Sequence, residues 1–134
     1  MPDNCTATQN FILHELDSTL ATELRDVVAQ PGRAFHSTNS TRECVSIARR
    51  SGANVVFCSS ERRAYESLLD ALERGSLQVP VVVVSRIPET SEWLDAIDAG
   101  ATDYCAAPFE RRQISWLVQS ALLAGQRMAL GAVR

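Results

Sequence analysis

The chain has 134 residues, of which 46% are hydrophobic and 22% charged, and its 13 basic and 16 acidic side chains give a net charge of −3. This length and composition predict one globular domain with a single core. Without a basic excess, direct nucleic-acid binding is not expected. The amino terminus lacks a signal-peptide pattern and no apolar run reaches membrane-spanning length, so we expect a soluble, cytoplasmic protein.

Short apolar runs alternate with segments of helical periodicity along the chain. The predicted strands are residues 11–14, 34–36, 55–58, 79–84 and 102–105. Their apolar runs, which show no polar alternation, are typical of parallel strands covered on both faces. Gly32, Gly52, Gly75 and Gly100 follow segments of helical periodicity at a regular spacing, which is typical of β/α units.

Five helices are predicted between and after these strands. The second begins with the capping box Ser40-Thr-Arg-Glu43. The other four carry apolar stripes at helical spacing: Leu20, Leu24, Val27 and Val28; Leu68, Ala71 and Leu72; Trp93, Leu94 and Ile97; Ile114, Leu117, Val118, Ala121 and Leu122. The predicted fold class is therefore α/β, a doubly wound five-stranded parallel sheet with five helices.

This fold divides the chain into three parts. Residues 9–124 form the predicted domain, residues 1–8 a disordered or extended amino terminus, and residues 125–134 a helix end or linker tail. In a doubly wound sheet the functional site lies beyond the carboxyl ends of the strands. The segments expected there are 15–17, 59–61, 85–87 and 106–109.

Isolated polar residues near the strands have structural interpretations that we prefer. Cys5, Cys44, Cys58 and Cys105 lie far apart without zinc-ligand spacing, so we expect reduced core thiols and no metal. Ser59 or Ser60 is interpreted as the cap of the third helix, because no His-acid pair is placed to activate either hydroxyl. His14 is interpreted as a satisfied, partly buried residue, with a pH-sensing role as the alternative.

The segment VPVVVVSRIPETSEWLDAIDAGATDYCAAPFERRQISWLV, residues 79–118, resembles the second half of bacterial two-component receiver domains of the CheY-like type. The first half of the chain matches more loosely. This resemblance implies strand order 2-1-3-4-5 and a phosphoacceptor aspartate after the third strand. It also implies an acidic pair after the first strand, a hydroxyl residue after the fourth and a lysine-proline after the fifth.

Several of these family residues are replaced in the sequence. The resemblance aligns Ser59 with the acceptor aspartate, and Glu15 and Leu16 with the acidic pair. If the alignment of the first strand is shifted by one residue, Asp17 becomes a member of the pair. It aligns Ser85 with the hydroxyl residue, Tyr104 with the aromatic switch, and Ala107 with the lysine before Pro108, whose peptide bond is expected to be cis. A serine cannot form an acyl phosphate, and Mg²⁺ requires several carboxylate oxygens. The resemblance therefore implies a degenerate receiver without a cofactor, in which Mg²⁺ binding is weak or absent, and no enzyme.

The resemblance also implies an interaction surface on the fourth helix, fifth strand and fifth helix. Trp116, Ser120 and Leu123 lie off the core stripe of the fifth helix, and Trp93 and Tyr104 are candidates for the same face. The alternative is that Trp116 merely covers its own and a neighbouring helix. The expected partner is a second copy or another protein, with an output domain possible beyond Arg134.

Two other functions remain open from the sequence. Glu61, with Glu15 and Asp17, could form a minimal metal site that supports weak phosphorylation. Alternatively, the vacated pocket could bind a small anion at the amino end of the third helix, near Ser59, Ser60 and Arg62. Walker and dinucleotide-binding motifs are absent from the sequence.

Overall fold

The computed structural model describes residues 8–133, with side chains described as far as Met128. Cys5, most of the predicted amino-terminal segment and Arg134 lie outside the described residues. In chain order the elements are β1 (Gln9–His14), α1 (Ser18–Val28), β2 (Arg33–Thr38), α2 (Thr41–Ser51), β3 (Val55–Ser59), α3 (Arg62–Arg74), β4 (Val81–Ser85), α4 (Thr90–Ala99), β5 (Asp103–Ala106) and α5 (Arg111–Val133).

The five strands form one parallel sheet in the order β2-β1-β3-β4-β5. The predicted α/β fold class and strand order are confirmed. The register places His14 opposite Cys58, Ser59 opposite Val84, and Ser85 opposite Ala106. The carboxyl ends of the strands therefore meet at one edge of the sheet.

Side chains that alternate along the strands build two hydrophobic clusters, one on each face of the sheet. Phe11, Phe57 and Val84 pack with residues of α1 and α5. Ile12 and Val56 belong to the other cluster, which contains buried residues of α2, α3 and α4. Because β1, β3 and β4 are buried on both faces, polar groups concentrate at the strand ends.

The predicted strand boundaries lie within two residues of those in the structure. Residues 79 and 80 precede β4, because Pro80 cannot donate a ladder hydrogen bond, although its carbonyl accepts one from the Val56 N–H at 2.9 Å. Residues 125–133 continue α5 without a break, in agreement with the helix-end alternative for this segment. Gly125 permits this continuation, since a Cβ there would lie only 3.2 Å from the Pro80 ring.

The predicted capping box of α2 has a modified geometry. Ser40 Oγ accepts a hydrogen bond from the Glu43 N–H at 3.1 Å, as expected for an N-cap. The Glu43 carboxylate accepts from the Asn39 N–H at 3.2 Å, one residue before the cap. The helix then ends at Gly52, which has φ +64° and ψ 49°.

Replacement of Gly52 tests this helix end. A side chain in the left-handed region costs about 1–2 kcal/mol, and asparagine tolerates that region better than other residues. We expect the free energy of unfolding to fall in the order wild type, Gly52→Asn, Gly52→Val, as measured by urea denaturation. Arg50→Ala, an exposed change in the same helix, is the matched control. Equal stability of the wild type and Gly52→Val would contradict the assignment.

Candidate functional site at the carboxyl edge of the sheet

The positions that align with the receiver phosphorylation site come together in the fold. Glu15, Ser59 and Ser85 lie at the carboxyl ends of β1, β3 and β4, which are neighbours in the sheet. Ala107 follows β5, and its N–H donates to the Ser85 carbonyl at 2.9 Å. The peptide bond between Ala107 and Pro108 is cis.

Two of these positions are occupied by apolar side chains that pack on the core. Leu16, at the acidic-pair position, and Ala107, at the lysine position, are partly buried against the cluster shared with α1 and α5. Phe109 packs on the same cluster. These two positions therefore supply neither a carboxylate for a cation nor an ammonium for an incoming phosphate.

Asp17, the alternative member of the acidic pair, has two structural partners. Its carboxylate caps α1 by accepting a hydrogen bond from the Leu20 N–H at 2.9 Å. It also forms an ion pair with Arg86, which follows β4. The capping hydrogen bond from Leu20, and to a smaller extent the hydrogen bond from Arg86, holds the pKa of Asp17 below its ordinary value. The pair links the β1–α1 and β4–α4 connections across this edge.

Ser59 does not cap α3, and neither does Ser60, so that prediction was wrong. Glu61 is the N-cap residue by backbone geometry, without a capping side-chain hydrogen bond. Ser59 Oγ instead accepts from the Glu61 N–H at 3.2 Å, in a local turn typical of serine. Arg62 pairs with Asp95 of α4 at 2.7 Å.

Ser85 is buried, and its hydroxyl bonds to the backbone two residues ahead. Oγ donates to the Ile87 carbonyl at 2.8 Å and accepts from the Ile87 N–H at 3.2 Å. Both polar functions of this hydroxyl are satisfied within its own loop. Ser85 therefore serves in the structure as the stabiliser of the turn that leads into α4.

Tyr104 joins β5 to α4. Its hydroxyl donates to Glu92 Oε1 at 2.6 Å, and the ring is half-buried. Burial, and to a smaller extent the hydrogen bond to Glu92, raises the pKa of Tyr104. The ring is held against α4 at the border of the exposed surface.

His14 is fully buried, so the predicted partial burial with satisfied nitrogens was wrong. Nδ1 lies 2.8 Å from Thr38 Oγ1, while Nε2 is without a hydrogen-bond partner in the described part of the chain. Nε2 lies 3.3 Å from a Glu15 carboxylate oxygen, outside hydrogen-bonding geometry. Burial lowers the pKa of His14, and the Glu15 and Glu43 carboxylates only partly oppose this shift.

The order Glu15, His14, Thr38 matches the residue types of an acid-base-nucleophile triad. Sequence reasoning missed this cluster, because Thr38 lies 24 residues from His14 and only the strand pairing brings them together. Thr38 is 1% exposed, so its hydroxyl is not accessible to a substrate. Glu15 itself has a positive φ of 57°, and its N–H donates to the Thr38 carbonyl at 2.8 Å. His14 and Thr38 are a buried structural pair, and Glu15 lies partly exposed beside them.

The cysteines within the described residues are free thiols in the core. Burial raises the pKa of Cys44 to about 11 and that of Cys105 to about 12, and it also raises the pKa of Cys58. Thiols with raised pKa values react slowly, because the thiolate is the nucleophile and the metal ligand. Within residues 8–133, no group of three or more His, Cys, Asp or Glu side chains is arranged to hold a metal ion.

Large apolar side chains are exposed on α4, on α5 and in the loop that precedes α4. Trp116 is 68% exposed and Leu123 is 54% exposed, both on α5. Trp93 is 44% exposed on α4, next to Tyr104. Leu94 and Ile97 are also exposed, since Ala96 is the only buried residue of α4, and so is Ile87 in the preceding loop. We call this surface the α4–β5–α5 face: Ile87, Trp93, Leu94, Ile97, Tyr104, Trp116 and Leu123.

Comparison with known proteins establishes the fold. No family model matched the sequence, and neither did any curated protein. Solved structures did match: the receiver domain of a putative LuxO repressor protein from Vibrio parahaemolyticus has a TM-score of 0.75 and 16% identity, and covers 92% of this chain and 96% of that one. A putative response regulator from Chloroflexus aurantiacus has a TM-score of 0.72 and 20% identity, with 87% and 98% covered.

A longer protein is also similar. NtrX from Brucella abortus has a TM-score of 0.77 and 16% identity, and the match covers 95% of this chain but 30% of NtrX. The chain thus has the fold of response-regulator receiver domains. In the described residues, no helix is both long and apolar enough to cross a membrane.

The burial of His14 predicts a pH-dependent stability. The unfolded chain binds a proton at His14 more tightly than the fold does, so unfolding takes up a proton below the ordinary histidine pKa of about 6.5. This contribution to stability is complete above that pH and is lost as the pH falls toward the lowered folded pKa, with a slope of at most about 1.4 kcal/mol per pH unit. Urea denaturation between pH 7.5 and 5 measures it.

Two variants separate His14 from the other titrating groups. His14→Leu combined with Thr38→Val replaces both members of the buried hydrogen bond, and we expect its stability to depend less on pH in that interval. His36→Gln keeps His14 and is the matched control. A pH dependence unchanged in the double variant would assign the titration to other residues.

Proposed function

We propose that this chain is a signal-transduction module of the response-regulator receiver type that acts through protein-protein contacts of its α4–β5–α5 face and does not transfer phosphoryl groups. One observation carries the proposal: Leu16 and Ala107 pack on the hydrophobic core at the positions where phosphoryl chemistry needs a carboxylate and an ammonium. Ser59 adds to it, because a hydroxyl cannot form an acyl phosphate. The remaining function of such a module is to bind a protein partner.

The exposed apolar side chains support the α4–β5–α5 face as the surface for that recognition. Trp116, Leu123 and Trp93 are large apolar groups that a monomer leaves in water at a cost of about 25 cal/mol per Å² of surface. Tryptophan is also enriched among the residues that dominate binding energy at interfaces. A second copy, another protein or an attached output domain would each cover such a surface.

The proposal includes the absence of a required metal cofactor. Asp17 is engaged by the α1 cap and by Arg86, and Glu15 is the carboxylate at the end of β1. A small hard cation such as Mg²⁺ needs more oxygen ligands than this edge provides. We therefore expect neither enzymatic turnover nor Mg²⁺-dependent stabilisation.

Acetyl phosphate tests the loss of phosphoryl chemistry. The purified chain is incubated with acetyl phosphate and Mg²⁺, and its intact mass is compared with that of a competent receiver domain treated identically. We expect a phosphoryl adduct on the competent domain and none on this chain. An adduct on this chain would contradict the proposal, and Glu61→Gln would then test whether that exposed carboxylate is the acceptor.

Truncation of the exposed aromatic tests the surface. Trp116→Ala is expected to weaken self-association or the affinity for an identified partner by roughly 10-fold or more, since interface tryptophans commonly contribute over 1 kcal/mol. Analytical ultracentrifugation measures the first quantity and calorimetry the second. Gln119→Ala, an exposed change in the same helix, is the matched control. If Trp116→Ala alters neither quantity, the assigned surface is wrong.

A further inference from the structure

The solvent side of α3 carries a stripe of acidic residues around one leucine. Glu66, Leu69, Asp70 and Glu73 recur at helical spacing, so they follow one side of the helix. The three carboxylates are exposed and Leu69 is half-buried. The core side of the same helix consists of the buried residues Ala64, Tyr65, Leu68 and Leu72.

A cavity lies at the carboxyl end of this stripe, where α3, the segment before β4 and the end of α5 meet. Its volume is about 890 Å³. The apolar side chains that line it are Leu69, Leu72, Leu77, Val79 and Met128. Leu72 and Val79 are buried and form the floor, whereas the other three are half-buried. Cavities of this size, lined mostly by apolar side chains, are typical of binding sites.

A second cavity continues from the first along the acidic stripe. It has a volume of about 540 Å³ and lies between α3 and the carboxyl end of α4, where it is lined by Glu66, Asp70, Ala99 and Gly100. Leu69 and Glu73 line both cavities. The two cavities therefore form one groove with an apolar end and an acidic end, which we call the α3 groove.

The walls of the α3 groove are held in place by hydrogen bonds of the turn that follows α3. The Leu77 N–H donates to the Leu72 carbonyl at 2.9 Å, and Arg49 of α2 donates to the Gly75 carbonyl at 3.1 Å. On the α4 side the wall is low, because a Cβ at Gly100 would meet no atom within 4 Å. A partner backbone can approach this wall closely.

The charge of the α3 groove favours a cationic partner. Among the described residues that line the two cavities, three are carboxylates and none is basic. Glu66 lies 3.9 Å from Arg62, and Asp70 pairs with Arg74, both on α3 itself. Exposed pairs of this kind contribute at most about 1 kcal/mol, so a partner cation can replace them.

We propose that the α3 groove binds a basic amphipathic helix of another protein. Apolar side chains of that helix occupy the cavity beside Leu77 and Met128, while its lysine or arginine side chains pair with the carboxylates of the stripe. From Glu66 to Glu73 the stripe covers about 10 Å at about 1.5 Å per residue, which matches two turns of a partner helix. The groove is separate from the α4–β5–α5 face, so this inference goes beyond the proposed function.

A synthetic peptide provides the test. The probe is a helical peptide of leucine, lysine and alanine, with a leucine stripe flanked by lysines, titrated into the isotope-labelled full chain. We expect saturable binding below millimolar concentration, with amide chemical-shift changes in α3 and residues 76–79. Two control peptides carry glutamate for lysine or serine for leucine, and we expect each to bind at least about 10-fold more weakly.

Variants of the chain separate the two ends of the groove. Glu66→Lys combined with Glu73→Lys reverses the acidic end, and we expect it to weaken binding of the lysine peptide by at least about 10-fold. Gln78→Trp places a large side chain at the rim of the apolar cavity, and we expect a similar loss. Glu23→Lys combined with Asp26→Lys, the same charge change on the exposed side of α1, is the matched control. Circular dichroism verifies that each variant is folded.

Four outcomes would overturn the inference. They are a lysine peptide that does not bind, shift changes confined to the α4–β5–α5 face, a control variant on α1 that loses binding as far as the reversal on α3, and a serine peptide that binds as well as the leucine peptide. The last result would reduce the contact to unspecific attraction between charges. Because none of these measurements depends on Trp116, failure of the α3 groove leaves the proposed function to its own tests.

Discussion

Burial of the sheet on both faces is the constraint on which the other features of this domain depend. β3 lies between β1 and β4, and Val55, Val56, Phe57 and Cys58 are fully buried. A strand covered on both sides has no solvated position for a polar side chain, so polar groups lie at its ends. Parallel pairing then brings the ends of neighbouring strands together. The candidate site lies at the carboxyl edge of the sheet because the buried strands leave no room for polar side chains along their length.

At that edge the backbone has the arrangement of a receiver domain, and the polar side chains form hydrogen bonds within the loops that follow the strands. Ser85 bonds to Ile87 within its turn, Ser59 accepts from the backbone of Glu61, and Asp17 caps α1. Leu16 and Ala107 extend the hydrophobic core to this edge of the sheet. Each of these choices stabilises a loop locally, and none of them requires a bound ion.

Much of the fold could be predicted from the sequence, because apolar runs and helical periodicity determine which segments form strands and helices. Those patterns do not determine which side of a helix meets the core. Trp93, Leu94 and Ile97 predicted α4 correctly, yet α4 buries only Ala96 and leaves all three exposed. The α3 cap and the His14–Thr38 pair also depend on loop geometry and strand register, which no local pattern encodes. The positions of Ser59, Ser85 and Ala107 at one edge followed from the fold class alone.

The close contact between Gly125 and Pro80 has a mechanical consequence for α5. The helix spans 23 residues, or roughly 35 Å at about 1.5 Å per residue, and it touches the Pro80 ring at a residue without a side chain. Between Arg111 and this contact, the side chains of Ile114, Leu117, Val118 and Ala121 are buried in the core. A helix held at two places cannot tilt about either one without loss of packing, so the exposed side of α5 keeps one orientation relative to the sheet.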